Sequence, residues 1–274
     1  MVTGANTGIG FETAKELAKK GFNVIMVCRS MEKGKDSARI IESEFSGAMV
    51  HVMKADLASF ASIKTFSSDY LKMYDRLDLL VNNAGVFSDT HQKTEDGFEM
   101  TMGVNYLGNY LITQLLRPVI LKTEKARVIN IASKAGFHGK INLTNPFHGP
   151  SGFKAYSASK LALIWWTIHL AKELKDTDVK VVAVSPGRGA TNIWKGKSFM
   201  MKIVRPIMLR KAMSAAKCSQ TGLYTSLAED NKISSGSMYE NLTLLPYNKR
   251  CLDYESQQAL MKLTREITGV GIGT

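Results

Sequence analysis

The 274-residue sequence lacks several features that would place it in other classes of protein. No apolar run approaches the ~20 residues that a membrane-spanning helix needs, and no secretory signal is visible at Met1. Its three cysteines, Cys28, Cys218 and Cys251, are widely spaced and form no CxxC pair or zinc pattern. We therefore expect a protein without bound metal, in the cytoplasm or on the cytoplasmic face of a membrane.

Internal repeats, low-complexity tracts and linker-like stretches are also missing, so we expect one domain over residues 1–274. Acidic residues are a minority, with 24 Asp and Glu against 36 Lys and Arg and a formal net charge of +12. This balance permits an anionic partner, although a solvated basic surface explains most of it equally well. A nucleic-acid partner is not expected, because no recognition motif accompanies the charge.

Apolar strand patterns alternate with helix patterns along most of the chain. Strands are predicted over residues 22–29, 48–55, 77–81, 127–132 and 179–184, with a further short strand near Met238. Helices are predicted after Gly10 and over about 31–44, 59–74, 98–121 and 254–267, and another contains Tyr156 and ends near Leu174. Apolar strands alternating with helices are typical of an α/β fold. We expect a single Rossmann-type, doubly wound parallel sheet with helices on both faces.

The pattern of the first strand is nearly absent, because only Met1 and Val2 precede the Thr3-Gly4 pair. We expect a truncated first strand, which would leave unpaired backbone groups in its neighbours. A GxxxGxG pattern follows and leads into the first helix. Glycines there permit close approach of a pyrophosphate to a helix N-terminus, although a simple tight turn is the alternative. The flanking strands and helix favour a dinucleotide site.

Polar and turn residues come at or just after the predicted strand ends. These residues are Gly8, Arg29, Asp56, Asn83, Ser133 and Pro186. Because ligands bind outside the carboxyl ends of parallel strands, we expect these residues to converge on one edge of the sheet.

A candidate acid–base pair lies on one helix face, because Tyr156 and Lys160 are one turn apart. A free tyrosine has a pKa near ~10. A neighbouring ammonium favours the phenolate, so we expect Lys160 to lower the pKa of Tyr156 and make it a usable general acid.

Together these motifs resemble the short-chain dehydrogenase/reductase family, in particular its retinol-dehydrogenase-like branch. The resemblance to the family rests on TGANTGIG at 3–10, NNAG at 82–85, Asn105, Ser133, YSASK at 156–160 and Pro186-Gly187. The resemblance to the branch rests on Cys28-Arg29, on NYLG at 105–108 and on TGV at 268–270. It implies that Ser133 donates a hydrogen bond to the substrate carbonyl and that Tyr156 delivers the proton. It also implies that Asn105 supports a water-linked proton relay to Lys160, and that two chains pair through the helices around Asn105 and Tyr156.

The resemblance also implies a cofactor site. Its residues would be Gly4, Thr7, Gly8, Ile9, Gly10, Asp56, Leu57, Asn83, Ala84, Gly85, Tyr156, Lys160, Pro186, Gly187 and Thr191. The choice of cofactor depends on the end of the second strand, which reads Cys28-Arg29-Ser30 without the carboxylate typical of NAD enzymes. Since a guanidinium suits a 2′-phosphate, Arg29 predicts NADP(H). The alternative is that Arg29 merely faces solvent.

Acidic residues are absent between Val179 and Ala228. Within this stretch, residues 190–213 are apolar, rich in Met and basic, and the resemblance implies that they cover the substrate. Such a segment suits a lipophilic substrate such as a retinoid, steroid or lipid aldehyde. Residues 193–213 could also contact an anionic membrane, or form an ordinary helix pair with a solvated face. Arg188 departs from the branch, which usually has an apolar residue there.

The sequence thus predicts an oxidoreductase that uses NADP(H) and acts on a lipophilic carbonyl or alcohol. A catalytically weak cofactor-binding sensor or scaffold of the same fold is the alternative, favoured only by the short first strand.

Overall fold

The computed structural model describes residues 1–187 and 213–271, and all strands in this part belong to one sheet. The strands are β1 (Val2–Thr3), β2 (Val24–Cys28), β3 (Val50–Lys54), β4 (Leu79–Asn82), β5 (Arg127–Ile131), β6 (Lys180–Val184), β7 (Met238–Glu240) and β8 (Thr243–Leu245). Their order is β3-β2-β1-β4-β5-β6-β7-β8. Neighbours from β3 to β7 are parallel, and β8 returns antiparallel to β7. The predicted doubly wound α/β fold is confirmed.

Helices connect the strands and cover the sheet. They are α1 (Gly8–Lys19), α2 (Met31–Glu44), α3 (Phe60–Met73), α4 (Met100–Met102), α5 (Asn109–Leu115), α6 (Arg117–Lys122), α7 (Phe153–Glu173), α8 (Ala215–Leu227) and α9 (Tyr254–Thr268). A π-helical stretch, Gly103–Gly108, joins α4 to α5. Among these described helices, none has both the length and the apolar character that crossing a bilayer requires.

The helix predicted as continuous over 98–121 is interrupted twice. The π-helical stretch widens one turn, and a break at Leu116 precedes α6. The break has a local cause, because Pro118 in the first turn of α6 has no N–H to continue the ladder. Neither α8 nor β8 was expected from the sequence. Other predicted strand and helix bounds agree with the structure within two residues.

The predicted shortening of the first strand is confirmed, and this strand is nevertheless central. Val2 pairs with Met26 on one side and with Val81 on the other. Met1 prolongs the ladder, since its backbone oxygen accepts a hydrogen bond from the N–H of Val81 at 2.9 Å. The two residues of β1 therefore suffice to bring the turn that follows them to the carboxyl edge.

Two apolar cores lie on opposite faces of the sheet. On one face, α3, α5 and α7 bury side chains such as Leu111 and Trp166 against it. On the other face, α1, α2 and α8 pack around residues such as Leu17 and Ile41. Helices on both faces are thus confirmed.

The segment at the end of the chain covers the helices through which two copies were expected to pair. Tyr106 hydrogen-bonds Thr264 of α9 through its hydroxyl at 2.8 Å, and the Tyr110 hydroxyl donates to the Val270 carbonyl at 3.1 Å. Every side chain of α7 from position 155 to 167 is buried. A second copy approaching this face would meet α9 first, so the predicted pairing remains a prediction.

A buried polar ladder crosses the sheet just beneath the carboxyl edge. The Asn82 amide donates to Thr113 of α5 and to the Asn130 side-chain oxygen, each at 2.9 Å. The Asn130 amide donates in turn to Thr167 of α7 at 2.9 Å. All four side chains are buried. Because leaving these buried donors unpaired would be costly, the ladder fixes α5 and α7 relative to β4 and β5.

We predict that Asn130→Ala lowers the free energy of unfolding by about 2 kcal/mol, because it leaves the Asn82 amide and the Thr167 hydroxyl with one partner fewer. Urea unfolding followed by circular dichroism measures the change. The exposed Asn231→Ala is the control and should stay within about 0.5 kcal/mol of the wild type. Equal losses in both variants would contradict a stabilising ladder.

Candidate active site

A glycine turn joins β1 to α1 and packs tightly against the loop after β4. Gly4 and Gly8 have φ angles of 63° and 59°, in the region that favours glycine. A Cβ on Gly10 would lie 2.4 Å from the Asn83 amide nitrogen and 2.5 Å from the Gly4 oxygen. Only glycine fits such an approach. The turn ends at the N-terminus of α1, whose first turn has no acidic residue, so it fits a diphosphate.

Thr3 ties this turn to the predicted ribose loop at 83–85. Its hydroxyl oxygen accepts hydrogen bonds from the N–H groups of Asn83 and Ala84 at 3.0 and 2.9 Å. The Asn83 amide returns a bond to the Thr3 carbonyl at 2.8 Å. The sequence analysis gave Thr3 no role, although it begins the TGANTGIG motif and its hydroxyl was a visible signal.

The predicted adenosine end combines an ordered loop with an open, basic rim. The Asp56 carboxylate accepts from the Ala58 N–H at 2.9 Å, and Leu57 is buried. Arg29 follows β2 and is exposed, and no hydrogen bond or ion pair with another residue of 1–187 or 213–271 engages its guanidinium. Lys54 ends the neighbouring strand opposite Cys28. These residues fit the adenosine half of a dinucleotide.

Ser133 and Tyr156 meet where β5 ends. The Ser133 hydroxyl oxygen accepts from the Ala135 N–H at 3.1 Å, and the two side chains hydrogen-bond one another. Burial raises the pKa of Tyr156 to about 12, and the bond to Ser133 opposes this increase. The two hydroxyls therefore form a pair of donors that a single substrate oxygen could engage.

Lys160 is buried below Tyr156, and its effect on the pKa of Tyr156 differs from the one that the sequence predicted. Its ammonium donates to the Ile131 carbonyl at 2.7 Å and lies 5.7 Å from the centroid of the Tyr156 ring. Burial lowers the pKa of Lys160 to about 8. The protein's own groups thus do not produce the predicted lowering of the Tyr156 pKa, because desolvation of the phenol outweighs other effects.

Asn105 lies in the π-helical stretch, and its side chain holds the backbone of Val86. Its oxygen accepts from the Val86 N–H at 2.7 Å, and its amide donates to the Val86 carbonyl at 3.0 Å and to the Ser159 hydroxyl at 3.1 Å. The backbone carbonyl of Asn105 accepts from the Asn109 amide at 3.0 Å. The predicted water-linked path to Lys160 stays a prediction.

Two aromatic rings flank Tyr156. The Phe87 ring lies edge-on at 6.0 Å between centroids, and the Phe153 ring lies at 6.4 Å. Phe153 is 56% exposed although it is large and apolar. The sequence analysis did not single out either residue, since a lone phenylalanine carries no spacing signal.

Pro186 and Gly187 follow β6, and a carboxylate holds this end of the site together. The Glu240 carboxylate accepts from the Ser185 hydroxyl at 2.8 Å and pairs with Lys134, the residue after Ser133. Glu240 lies in no motif and was missed. Thr191 and Arg188 lie outside the described residues, as does most of the 190–213 segment, so their predicted contacts with cofactor, substrate and membrane rest on the sequence alone.

The comparisons with known proteins agree with this geometry. Residues 1–201 match the family model described as short chain dehydrogenase, and the chain belongs to that family. The predicted resemblance is therefore confirmed, including its retinol-dehydrogenase-like branch.

The chain is 36% identical to mouse retinol dehydrogenase 12 over 98% of its own length and 86% of the relative. It is 37% identical to human retinol dehydrogenase 13 over 88% of its own length and 76% of the relative. Among solved structures, an uncharacterised protein from Mycobacterium paratuberculosis matches with a TM-score of 0.81 and 27% identity, covering 99% of this chain and 93% of that one. The NADP complex of RhlG from Pseudomonas aeruginosa matches with a TM-score of 0.68 and 27% identity, covering 86% and 91%.

We predict that Lys160→Met stabilises the protein at pH 7 while abolishing turnover. The pKa of Lys160 is about 8 when folded against an ordinary 10.5, so the unfolded chain binds the proton more tightly. The charged lysine therefore costs about 3 kcal/mol below pH 8, and this cost disappears as the pH rises toward 10.5. Loss of the bond to Ile131 offsets part of the gain.

Urea unfolding of both proteins at several pH values between 7 and 10 measures this effect. The stability advantage of the variant should shrink as the pH rises. Lys154→Met, on the exposed face of the same helix, is the matched control and should show no such trend. An advantage that is independent of pH would contradict the burial argument.

Proposed function

We propose that the protein is an oxidoreductase that transfers a hydride between NADP(H) and the carbonyl or alcohol group of a lipophilic substrate. The observation that carries the proposal is the pairing of the Ser133 and Tyr156 hydroxyls, with buried Lys160 beneath them, beside the glycine turn at one edge of the sheet. Family membership supports chemistry at an alcohol or carbonyl group.

Two hydroxyl donors at one position suit a carbonyl oxygen on which negative charge develops. Ser133 would donate a hydrogen bond to that oxygen, and Tyr156 would transfer its proton to it. A nicotinamide bound at this edge would supply the hydride in reduction. The burial that raises the pKa of Tyr156 keeps the phenol protonated until the substrate oxygen becomes the stronger base.

Lys160 supplies the positive charge on this path. With a pKa of about 8, most of its ammonium remains charged at pH 7. As the proton leaves Tyr156, a nearby ammonium stabilises the phenolate, and the low polarity of the site strengthens that interaction.

The lipophilic substrate is supported by the aromatic rings of Phe87 and Phe153 beside Tyr156. An exposed Phe153 at the mouth of a polar site is well placed to contact an apolar chain or ring. Two relatives named as retinol dehydrogenases support a retinoid-like substrate for this chain.

The preference for NADP(H) is supported by charge. Arg29 is exposed directly after β2, and the Ser30 side chain caps α2 by accepting from the Lys33 N–H. A 2′-phosphate in this place would meet a guanidinium and a helix N-terminus, and the strand end presents no carboxylate. The solved RhlG structure, similar in fold, is an NADP complex.

The test of function is oxidation of NADPH by the purified protein with all-trans-retinal, a medium-chain aldehyde or a steroid ketone. We predict turnover with at least one substrate, and about a 10²- to 10⁴-fold lower kcat for Tyr156→Phe because the proton donor is lost. The exposed Tyr254→Phe is the matched control and should keep full activity. A folded protein that binds NADPH without any turnover would instead support a sensor or scaffold.

A separate variant tests the cofactor preference. We predict that Arg29→Ala raises the KM for NADPH about ten-fold or more, since a charge-assisted hydrogen bond to the phosphate is lost, and leaves the KM for NADH unchanged. Arg39→Ala, a change at an exposed arginine of α2, is the control. Equal effects on both cofactors, or none, would rule out phosphate recognition by Arg29.

A further inference from the structure

The side-chain amide of Asn109 lies at the junction of the predicted cofactor loop and the helix that carries Asn105. Its nitrogen is 3.0 Å from the Asn105 carbonyl oxygen, 3.3 Å from the Val104 carbonyl oxygen and 3.1 Å from the Ala84 carbonyl oxygen. The side chain is buried. A π-helical stretch alters the regular hydrogen-bond ladder of a helix, so carbonyls within it benefit from a side-chain donor.

The orientation of this amide is determined by its surroundings. Three carbonyl oxygens accept from the nitrogen, and a flipped amide would place its own oxygen against all three. In the observed orientation, the buried Asn109 oxygen has no hydrogen-bond partner among residues 1–187 and 213–271. An unpaired buried acceptor is destabilising, so the arrangement favours the position of the carbonyls over stability.

The backbone of Asn109 is itself anchored. The Thr113 hydroxyl donates to the Asn109 carbonyl at 2.8 Å and accepts from the Asn82 amide at 2.9 Å. Asn109 is therefore the link between the buried ladder and two functional backbone groups. These are the Ala84 carbonyl in the predicted ribose loop and the Asn105 carbonyl, both of which accept from the Asn109 amide.

We propose that Asn109 is a positioning residue that sets the Asn105 carbonyl and the Ala84 loop together, and so couples cofactor binding to proton delivery. This inference rests on the proposed function. Asn109 touches neither substrate nor the reacting atoms, and it acts through Asn105 and Ala84. Its two N–H donors, rather than its volume, are the property that matters.

Two substitutions distinguish the loss of the N–H donors of Asn109 from the loss of its side-chain volume. Asn109→Asp keeps the size but replaces both N–H donors with an acceptor, whereas Asn109→Ala removes donors and volume together. We expect about a ten-fold lower kcat in both, the size typical of losing one or two buried hydrogen bonds, with the substrate KM within about two-fold of wild type. NADPH binding should weaken about three-fold or more for the same reason. A filling role predicts instead that the Ala variant is clearly less active than the Asp variant.

The measurements are kcat and KM with NADPH and a carbonyl substrate, the NADPH dissociation constant from tryptophan fluorescence, and the melting temperature. Thr167→Val, which disturbs the far end of the buried ladder, is the control and should lower the melting temperature without changing kcat. If Asn109→Asp does not fold, Asn109→Ala alone decides. A folded Asn109 variant with kcat within two-fold of wild type would overturn the inference, as would an Ala variant less active than the Asp variant.

Failure of the proposed function gives a different result. If the wild type reduces no carbonyl, the NADPH dissociation constant decides the inference by itself. A three-fold or larger increase in the Asn109 variants, but not in Thr167→Val, would support the coupling through Ala84. An unchanged constant would overturn it.

Discussion

The burial of one ammonium and one phenol at the carboxyl edge of the sheet is the constraint on which the site depends. Desolvation lowers the pKa of Lys160 to about 8 and raises that of Tyr156 to about 12, so each group is held toward its neutral form. Every side chain of the helix around them is buried from position 155 to 167, and the backbone carbonyl of Ile131 at the end of β5 accepts a hydrogen bond from the lysine. The charged lysine destabilises the fold at neutral pH, and strongly shifted pKa values of this kind cluster at functional sites.

Hydrogen bonds between side chains and backbone groups hold the loops that follow β1 and β4. Thr3 binds two consecutive N–H groups after β4, and Asn105 clamps Val86 a few residues later. Gly10 lets the first turn close against Asn83. Because these contacts all converge on the loop after β4, the position of that loop depends on β1, although that strand has only two residues.

The alternation of strands and helices, the short β1 and the family could be predicted from the sequence, because apolar periodicity and motif spacing are local properties. The contacts of Thr3 and Glu240 could not. Each acts through partners far along the chain, such as the pairing of Glu240 with Lys134, and no local pattern encodes such contacts. The sign of the Tyr156 pKa shift was missed for the same reason. Helix spacing revealed the neighbouring lysine but not the depth of burial, which proved to be the larger effect.

The two ends of the edge follow opposite electrostatic rules. At Arg29 the rim is exposed and basic, so an anion would be bound by charge in contact with water. At Tyr156 the groups are buried, so electrostatic interactions there depend on the exclusion of water. In the sheet order, β1 and β4 separate β2 from β5, which places these ends three strand spacings or about 14 Å apart. The two ends are therefore separate charge environments within one edge, one screened by water and salt and the other governed by burial.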